Sequence, residues 1–253
     1  MRSRAVARRL DAMGRISGRV AIVTGASRGL GRATALAFAR EGAALAVCAR
    51  GTGELTALVD ELRGVEADVL GVVADLREPR DIERLVALTF ERFGRVDVLV
   101  NNASELGPTP LPFLADYPTA SFEDVLRVNL VAPFRLTQAV IGDMLARGSG
   151  VVLNVSSDVA VTGYAGWGAY AVSKAAVDAL TRTWAAEVAG TGVRIHAIDP
   201  GDMDTAMHRA ALPEDDPASL LDPAYSAEAF VRLALSDPAA DRVRATELRA
   251  PAG

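Results

Sequence analysis

A tyrosine and a lysine four residues apart are the pair in this sequence best suited to proton transfer. Tyr170 and Lys174 lie in the stretch Gly166–Ala176, and the residues that follow favour a helix, which would place both side chains on one face. A phenol ionises near pH ~10, and a nearby ammonium stabilises the phenolate. Such a pair can exchange a proton near neutral pH, as interconversion of a carbonyl and an alcohol requires. An amphipathic helix with a half-buried tyrosine and a solvated lysine would show the same spacing.

The composition favours one domain with an ample core. The 253 residues are 50% hydrophobic, and the formal net charge of −5 does not indicate a nucleic-acid surface. Cys48, the one cysteine, lies in an apolar run, which is typical of a small core residue in a reducing, cytoplasmic protein. The two histidines and the cysteine form no metal-ligand motif, and no apolar run reaches the ~20 residues that cross a bilayer. We therefore expect no metal, nucleic-acid or membrane partner.

The first residues differ in composition from the rest. Residues 1–19 carry six arginines and a single acid, Asp11, and no apolar segment follows them as in a secretory signal. Residues 1–18 are expected to form a basic, disordered leader, for which Met13 offers an alternative start. The domain is then expected to span residues 19–253.

Strand-like and helix-like segments alternate through this domain. Short apolar runs predict strands at 20–24, 43–49, 69–74, 96–100, 150–156 and 193–198, with a last short strand after residue 242. A long helix is expected over 121–147, kinked at Pro133, and another over 225–235. This alternation predicts an α/β fold, a Rossmann-type doubly wound parallel sheet with helices on both faces. The proline-containing stretches at about 104–120 and 200–217 are expected to be substrate loops, the second a lid.

Ligands bind such sheets at the carboxyl ends of the strands, where a glycine-rich loop stands in this sequence. The loop Gly25–Gly31 follows the first predicted strand with the spacing G-x-x-x-G-x-G. Its backbone N–H groups can hold phosphates at the N-terminus of the next helix. A tight structural turn would explain the same glycines.

Several motifs together resemble the short-chain dehydrogenase/reductase family, over about residues 19–235. Thr24–Gly31 resembles the family's TGxxxGxG cofactor loop, Asn101–Ala103 its NNAG, and Pro200–Thr205 its PGxxxT. Ser104 stands where the family usually has glycine. The positions of the family's catalytic tetrad are occupied by Asn129, Ser157, Tyr170 and Lys174.

The resemblance implies an oxidoreductase that interconverts a carbonyl and an alcohol on a small or medium-sized substrate. Tyr170 would be the general acid/base, with hydride moving from or to nicotinamide C4. Lys174 would bind the nicotinamide ribose and, with the oxidised ring, lower the Tyr170 pKa. Ser157 would hold the substrate oxygen, and Asn129 would fix a water between Lys174 and solvent. The cofactor-binding residues implied are Thr24, Gly25, Ser27, Arg28, Gly29, Leu30, Gly31, Arg50, Asp75, Leu76, Asn102, Ala103, Tyr170, Lys174, Pro200, Gly201 and Thr205.

NADP(H) is expected in preference to NAD(H). An acid at the end of the second strand would bind the adenosine ribose hydroxyls of NAD(H), but this sequence has Ala49 and Arg50 there. Arg28 lies in the glycine loop, and two guanidinium groups suit the 2′-phosphate of NADP(H). Either arginine could instead be a solvated surface charge.

The substrate residues and the assembly are less sharply defined. An apolar wall is expected from Leu106, Tyr164, Trp167 and Met203. Acids at the mouth would suit an amine or polyhydroxylated substrate, or would simply be solvated; they are Glu105, Asp158, Asp202 and Asp204. Asp199 replaces the asparagine that the family often has before Pro-Gly, and residues 241–250 lack its glycine-containing terminal motif. That motif helps to build the family's tetramer, so a homodimer through the Tyr170 helix is expected, with a homotetramer as the alternative. A loose likeness to sepiapterin-reductase-like members does not identify a substrate.

Two other functions stand as alternatives to this hypothesis. A catalytically silent NADP(H)-binding regulator of the same fold would not need Tyr170, so the intact tetrad argues against it. A sugar epimerase or dehydratase of the longer relatives needs a larger substrate domain than the roughly fifty residues after Gly201 provide.

Overall fold

The structure is a computed structural model that describes residues 14–238 and 240–248, and seven parallel strands form one sheet within these residues. The strands are β1 Val20–Thr24, β2 Ala44–Ala49, β3 Val69–Val73, β4 Val98–Asn101, β5 Gly150–Val155, β6 Val193–Asp199 and β7 Arg242–Arg244. Their order in the sheet is β3-β2-β1-β4-β5-β6-β7. This confirms the predicted single-domain, doubly wound parallel sheet.

Helices cover both faces of the sheet. They are α1 Gly29–Arg40, α2 Thr52–Gly64, α3 Pro79–Phe93, α4 Thr119–Leu126, α5 Ala132–Arg147, α6 Gly168–Glu187, α7 Ala206–Ala211 and α8 Pro223–Leu235. One hydrophobic cluster joins α1, α2 and α8 to the sheet, and a second joins α3 and α5 to the other face. Within β1, Ala21 and Val23 belong to the first cluster and Ile22 to the second, because side chains alternate along a strand. β1 is therefore apolar on both faces, which is why it reads as an unbroken apolar run. No helix in the described part of the chain is long and apolar enough to cross a membrane.

The helix predicted over 121–147 is interrupted. A π-helical turn at Arg127–Val131 separates α4 from α5, and Pro133 lies in the first turn of α5. Because Pro133 has no N–H, it cannot donate to a carbonyl in the preceding turn, and the π-turn stands there. The expected distortion therefore precedes Pro133 and includes Asn129. Such π-turns often occur at functional sites.

The loop predicted over 200–217 contains a short helix, α7. The hydroxyl of Thr205 accepts a hydrogen bond from the His208 N–H at 3.2 Å and so caps this helix. A parallel bridge between Met203 and Leu221 closes the base of the segment. The expectation of an irregular loop was wrong for residues 206–211, because a helix of six residues gives too short a periodic pattern.

The described part of the predicted leader packs on the domain. Ile16 is 1% exposed, and its N–H donates to the Glu41 carbonyl at 3.0 Å. The Arg15 guanidinium lies 2.6 Å from the Glu41 carboxylate and 2.9 Å from that of Glu228. Arg15 and Ile16 of the predicted leader are therefore in contact with the domain. Residues 1–13 of the predicted leader lie outside the described residues.

Candidate active site

A cavity of about 1110 Å³ is formed where the strands end. It is lined by residues that follow β1, β2, β4, β5 and β6, as expected for a doubly wound sheet. Most residues predicted to bind cofactor line it: Gly25, Ser27, Arg28, Gly29, Leu30, Gly31, Arg50, Asp75, Leu76, Asn102, Ala103, Tyr170, Lys174, Pro200, Gly201 and Thr205. Ser157 and the four substrate candidates also line it: Leu106, Tyr164, Trp167 and Met203.

Two predicted residues, Thr24 and Asn129, lie behind the cavity wall. The Thr24 hydroxyl accepts hydrogen bonds from the N–H groups of Asn102 at 2.9 Å and Ala103 at 3.0 Å, and donates to the Val100 carbonyl at 3.2 Å. Thr24 is 1% exposed. Its hydroxyl therefore holds the turn after β4 on the side away from the cavity.

Two glycines of the loop stand where no side chain would fit. Gly25 has φ +61°, and a Cβ there would lie 2.7 Å from Ala103 Cα. A Cβ on Gly31 would lie 2.4 Å from the Gly25 carbonyl oxygen and from Asn102 Nδ2, which donates to the Thr24 carbonyl at 2.8 Å. The loop therefore exposes bare backbone at the start of α1, where N–H groups can hold phosphates. The buried Ser156 hydroxyl, which also lines the cavity, has no hydrogen-bond partner among the described residues, and this geometry fits a bound dinucleotide.

Charged side chains surround the end of the cavity near β2. Arg50 is half exposed and lies 3.2 Å from the Glu105 carboxylate, which comes from the loop after β4. Glu54, in the first turn of α2, accepts a hydrogen bond from the Ser27 hydroxyl at 3.1 Å. The Arg77 guanidinium, 2.6 Å away, holds the pKa of Asp75 below its usual value. The sequence did not single out Glu54, although an acid in the first turn after the second strand is a visible signal.

Tyr170 and Lys174 lie one turn apart near the start of α6, as predicted. Lys174 is 2% exposed; its Nζ donates to the Val155 carbonyl at 2.7 Å and lies 5.4 Å from the centre of the Tyr170 ring. Burial lowers the pKa of Lys174 to about 8, partly opposed by Asp178. Burial also raises the pKa of Tyr170, partly opposed by the Ser104 hydroxyl. A neutral phenol therefore faces the cavity at neutral pH.

Ser157 is the second residue after β5 and caps a short 3-10 turn at Asp158–Ala160. Its hydroxyl donates to the Asp158 carboxylate at 3.0 Å and accepts from the Val159 N–H at 3.4 Å. Its carbonyl accepts a hydrogen bond from Arg242 on β7 at 2.9 Å. Ser157 is therefore held from both its side chain and its backbone.

Asn129 joins the loop after β4 to the helix that carries Tyr170. It is 2% exposed, and its side-chain oxygen accepts from the Glu105 N–H at 2.7 Å. Its amide donates to the Glu105 carbonyl at 2.9 Å and to the Ser173 hydroxyl at 3.0 Å. The π-turn aims this side chain across to α6.

The substrate end of the cavity combines aromatic and acidic side chains. The Trp167 and Tyr170 rings lie 5.6 Å apart. Burial raises the pKa of Asp202, and the nearby Asp158 carboxylate adds to the shift. A hydrogen bond to the same Asp158 carboxylate raises the pKa of Tyr164.

Two further segments line the substrate end of the cavity, and the sequence did not reveal that they lie there. From the stretch that contains α7, His208 and Arg209 line the cavity; His208 Nε2 lies 2.9 Å from Asp215, and Arg209 pairs with Asp204. From β7 and the turn after it come Arg244 and Thr246. The described residues contain no cluster of three or more potential metal ligands.

Comparison with known proteins places this geometry in a family. The protein-family model described as short chain dehydrogenase matches residues 19–216 of this chain. The 3-oxoacyl-(acyl-carrier-protein) reductase of Thermotoga maritima is 38% identical over 193 residues, which cover 76% of this chain and 77% of the relative.

Solved structures agree with this match. An actinorhodin polyketide ketoreductase variant with NADPH superposes with a TM-score of 0.82 at 31% identity, covering 92% of this chain and 97% of that one. An NAD⁺-bound xylitol dehydrogenase superposes with a TM-score of 0.78 at 27% identity, covering 88% and 94%. The chain belongs to the short-chain dehydrogenase/reductase family of NAD(P)-dependent oxidoreductases, which act on CH–OH groups.

Proposed function

We propose that this protein is an NADP(H)-dependent reductase or dehydrogenase that interconverts a carbonyl and an alcohol on a small or medium-sized substrate. The observation that carries the proposal is the half-buried Tyr170 phenol, neutral at neutral pH, which shares one cavity with Ser157, Lys174 and the bare glycine loop. The catalytically silent regulator would need only the loop.

Each residue has a role that its surroundings support. Tyr170 gives its proton to the carbonyl oxygen during reduction and takes it back during oxidation. The Ser157 hydroxyl turns from Asp158 to hold that oxygen. The ammonium of Lys174, 5.4 Å from the Tyr170 ring centre, favours the phenolate that oxidation requires. Asn129 keeps the Glu105 backbone and α6 in register. A bound nicotinamide would supply or accept the hydride at C4.

The preference for NADP(H) depends on two arginines beyond β2. Arg28 and Arg50 both line the cavity, and β2 ends in Ala49 instead of an acid. No carboxylate in the described residues lies within ion-pair distance of Arg28, so its guanidinium is available to a phosphate. Relatives of the same fold bind NADPH or NAD⁺, so the fold alone does not choose between them.

The substrate end should disfavour anionic substrates. Asp158 and Asp202 line it, and neither has an ion-pair partner within the described residues. The nearby side chains of His208 and Arg209 are paired with other acids. We infer that neutral or ammonium-bearing carbonyl compounds enter more readily than compounds with a carboxylate, because two uncompensated carboxylates repel a third.

The test begins with fluorescence titration by NADPH and NADH. NADPH oxidation is then followed with matched ketones and aldehydes that are neutral, cationic or anionic, and NADP⁺ reduction with the matching alcohols. Tyr170→Phe should bind NADPH within about twofold of the wild type and lose at least about 100-fold in kcat, because it lacks only the proton donor. Tyr117→Phe, which removes a buried hydroxyl outside the cavity, is the control. Wild-type turnover by Tyr170→Phe would overturn the mechanism, and NADPH binding without turnover in either direction would favour the regulator.

A further inference from the structure

Two departures from the family pattern meet in space. Asp199, which ends β6, and the atypical segment after residue 240 are brought together because β7 pairs in parallel with β6, with Ala197 opposite Arg242 and Asp199 opposite Arg244. Arg242 thereby lies beside the site, although it is 43 residues from Asp199 in sequence. The pairing suggests that these departures are coupled.

The Arg242 guanidinium bridges three segments. Its Nε donates to the Asp178 carboxylate at 2.9 Å, and one Nη donates to the Ser157 carbonyl at 2.9 Å and to the Asp199 carboxylate at 3.2 Å. The side chain is 21% exposed, whereas the Asp178 and Asp199 side chains are 4% and 6% exposed. The rigid fork of arginine suits this arrangement, and a single ammonium cannot reproduce it.

Each of the three partners is linked to a proposed functional group. Ser157 holds the substrate oxygen in the proposed mechanism. Asp178 lies one turn after Lys174 on α6 and is the charge that acts on it. Asp199 accepts a hydrogen bond from the Gly201 N–H at 3.1 Å and so shapes the Pro200–Gly201 turn, which lines the cavity.

We propose that Arg242 is a positioning residue for the reaction: it fixes Ser157 and the Pro200–Gly201 turn and neutralises the two buried carboxylates beside Lys174 and Tyr170. The proposal rests on the function proposed above. Its physical basis is that a buried carboxylate without a partner is costly and disturbs every charge nearby. The charged groups near Lys174 and Tyr170 are Asp178 on α6, Asp158 after β5 and Asp199 at the end of β6. Asp199 has a second, more distant cation, Arg244, at 3.6 Å.

A purely structural ion pair would give the same contacts, so the test needs a matched control. Arg147 provides one, because its side chain is 23% exposed and lies 2.9 Å from the 7%-exposed carboxylate of Asp97. Asp97 precedes β4, so this network stands at the amino edge of the sheet, opposite the cavity. Arg242→Met and Arg147→Met therefore remove the same chemical group from similar surroundings.

Two readouts are compared in the full-length variants. The first is kcat and KM for NADPH and the carbonyl substrate, corrected for the folded fraction. The second is the titration of Lys174, the only lysine in the sequence, followed by ¹³C NMR of its Cε after biosynthetic lysine labelling. Arg242→Met should lower kcat about 10- to 100-fold with a smaller change in KM for NADPH, because Ser157 is displaced. It should also raise the Lys174 pKa by about one unit, because Asp178 loses its partner. Asp178→Asn in the same background should reverse that rise.

Arg147→Met should change neither readout. Arg242→Met that matches Arg147→Met in both would overturn the proposal. If Arg242→Met does not fold, Arg242→Gln is measured instead, because it adds no second lysine to the titration; lowered kcat supports the proposal, and wild-type kcat with an unchanged Lys174 pKa overturns it. If the wild type turns over no substrate, only the proposed function fails, because the Lys174 titration tests the role of Arg242 without turnover.

Discussion

Replacing Thr24 by valine would isolate one hydroxyl that supports the cofactor side of the cavity. Valine has nearly the same shape, so the change removes hydrogen bonds without leaving a large void. Ala103 loses the acceptor for its N–H, while the Asn102 N–H keeps its second acceptor, the Val100 carbonyl at 3.1 Å. A buried N–H without an acceptor costs about 1–3 kcal/mol. We therefore expect Thr24→Val to lower the free energy of unfolding by about that amount.

The same substitution should weaken cofactor binding. Asn102 and Ala103 line the cavity, so a turn that is loosened must be ordered again when NADPH binds. An ordering cost of about 1 kcal/mol lowers affinity about fivefold. The free energy of unfolding is measured in urea with and without NADPH, and the dissociation constant by fluorescence.

Thr89→Val is the matched control for this experiment. Thr89 is 0% exposed in the middle of α3, and its hydroxyl donates to the Leu85 carbonyl at 2.7 Å but accepts no hydrogen bond within the described residues. Its loss should cost less than about 1 kcal/mol, because no backbone N–H is left unsatisfied. If Thr24→Val and Thr89→Val were equal in stability and in NADPH affinity, the supporting role assigned to Thr24 would be refuted.

Two further predictions concern charge. Arg50→Ala should weaken NADPH binding about tenfold and NADH binding less than about twofold, since a 2′-phosphate contact is lost. The surface variant Arg32→Ala, which also breaks an ion pair, should change neither affinity. Equal losses of NADPH and NADH affinity in Arg50→Ala would contradict the assignment. Because burial lowers the pKa of Lys174 to about 8 from 10.5, its burial costs about 3 kcal/mol below pH 8, and that cost disappears as pH rises toward 10.5. Stability relative to Lys174→Met should therefore rise between pH 8 and 10, and a Lys174 titration midpoint above pH 10 would contradict this.

The sheet and most of the cavity could be predicted from the sequence because most of the strands are short apolar runs. All five residues of β1 are buried, so its identity does not depend on distant partners. The motifs follow directly at the strand ends, and the parallel fold then brings them to one edge. This is why Ser157 and Gly25 line one cavity although more than a hundred residues separate them.

Features that depend on long-range contacts could not be predicted in this way. The π-turn at Asn129 is held by the Glu105 backbone and Ser173, which lie 24 and 44 residues away. Arg50 pairs with Glu105, 55 residues away, and Arg242 reaches Ser157 across 85 residues. Periodicity reports which face of an element is apolar, but it does not report which polar side chain meets which partner.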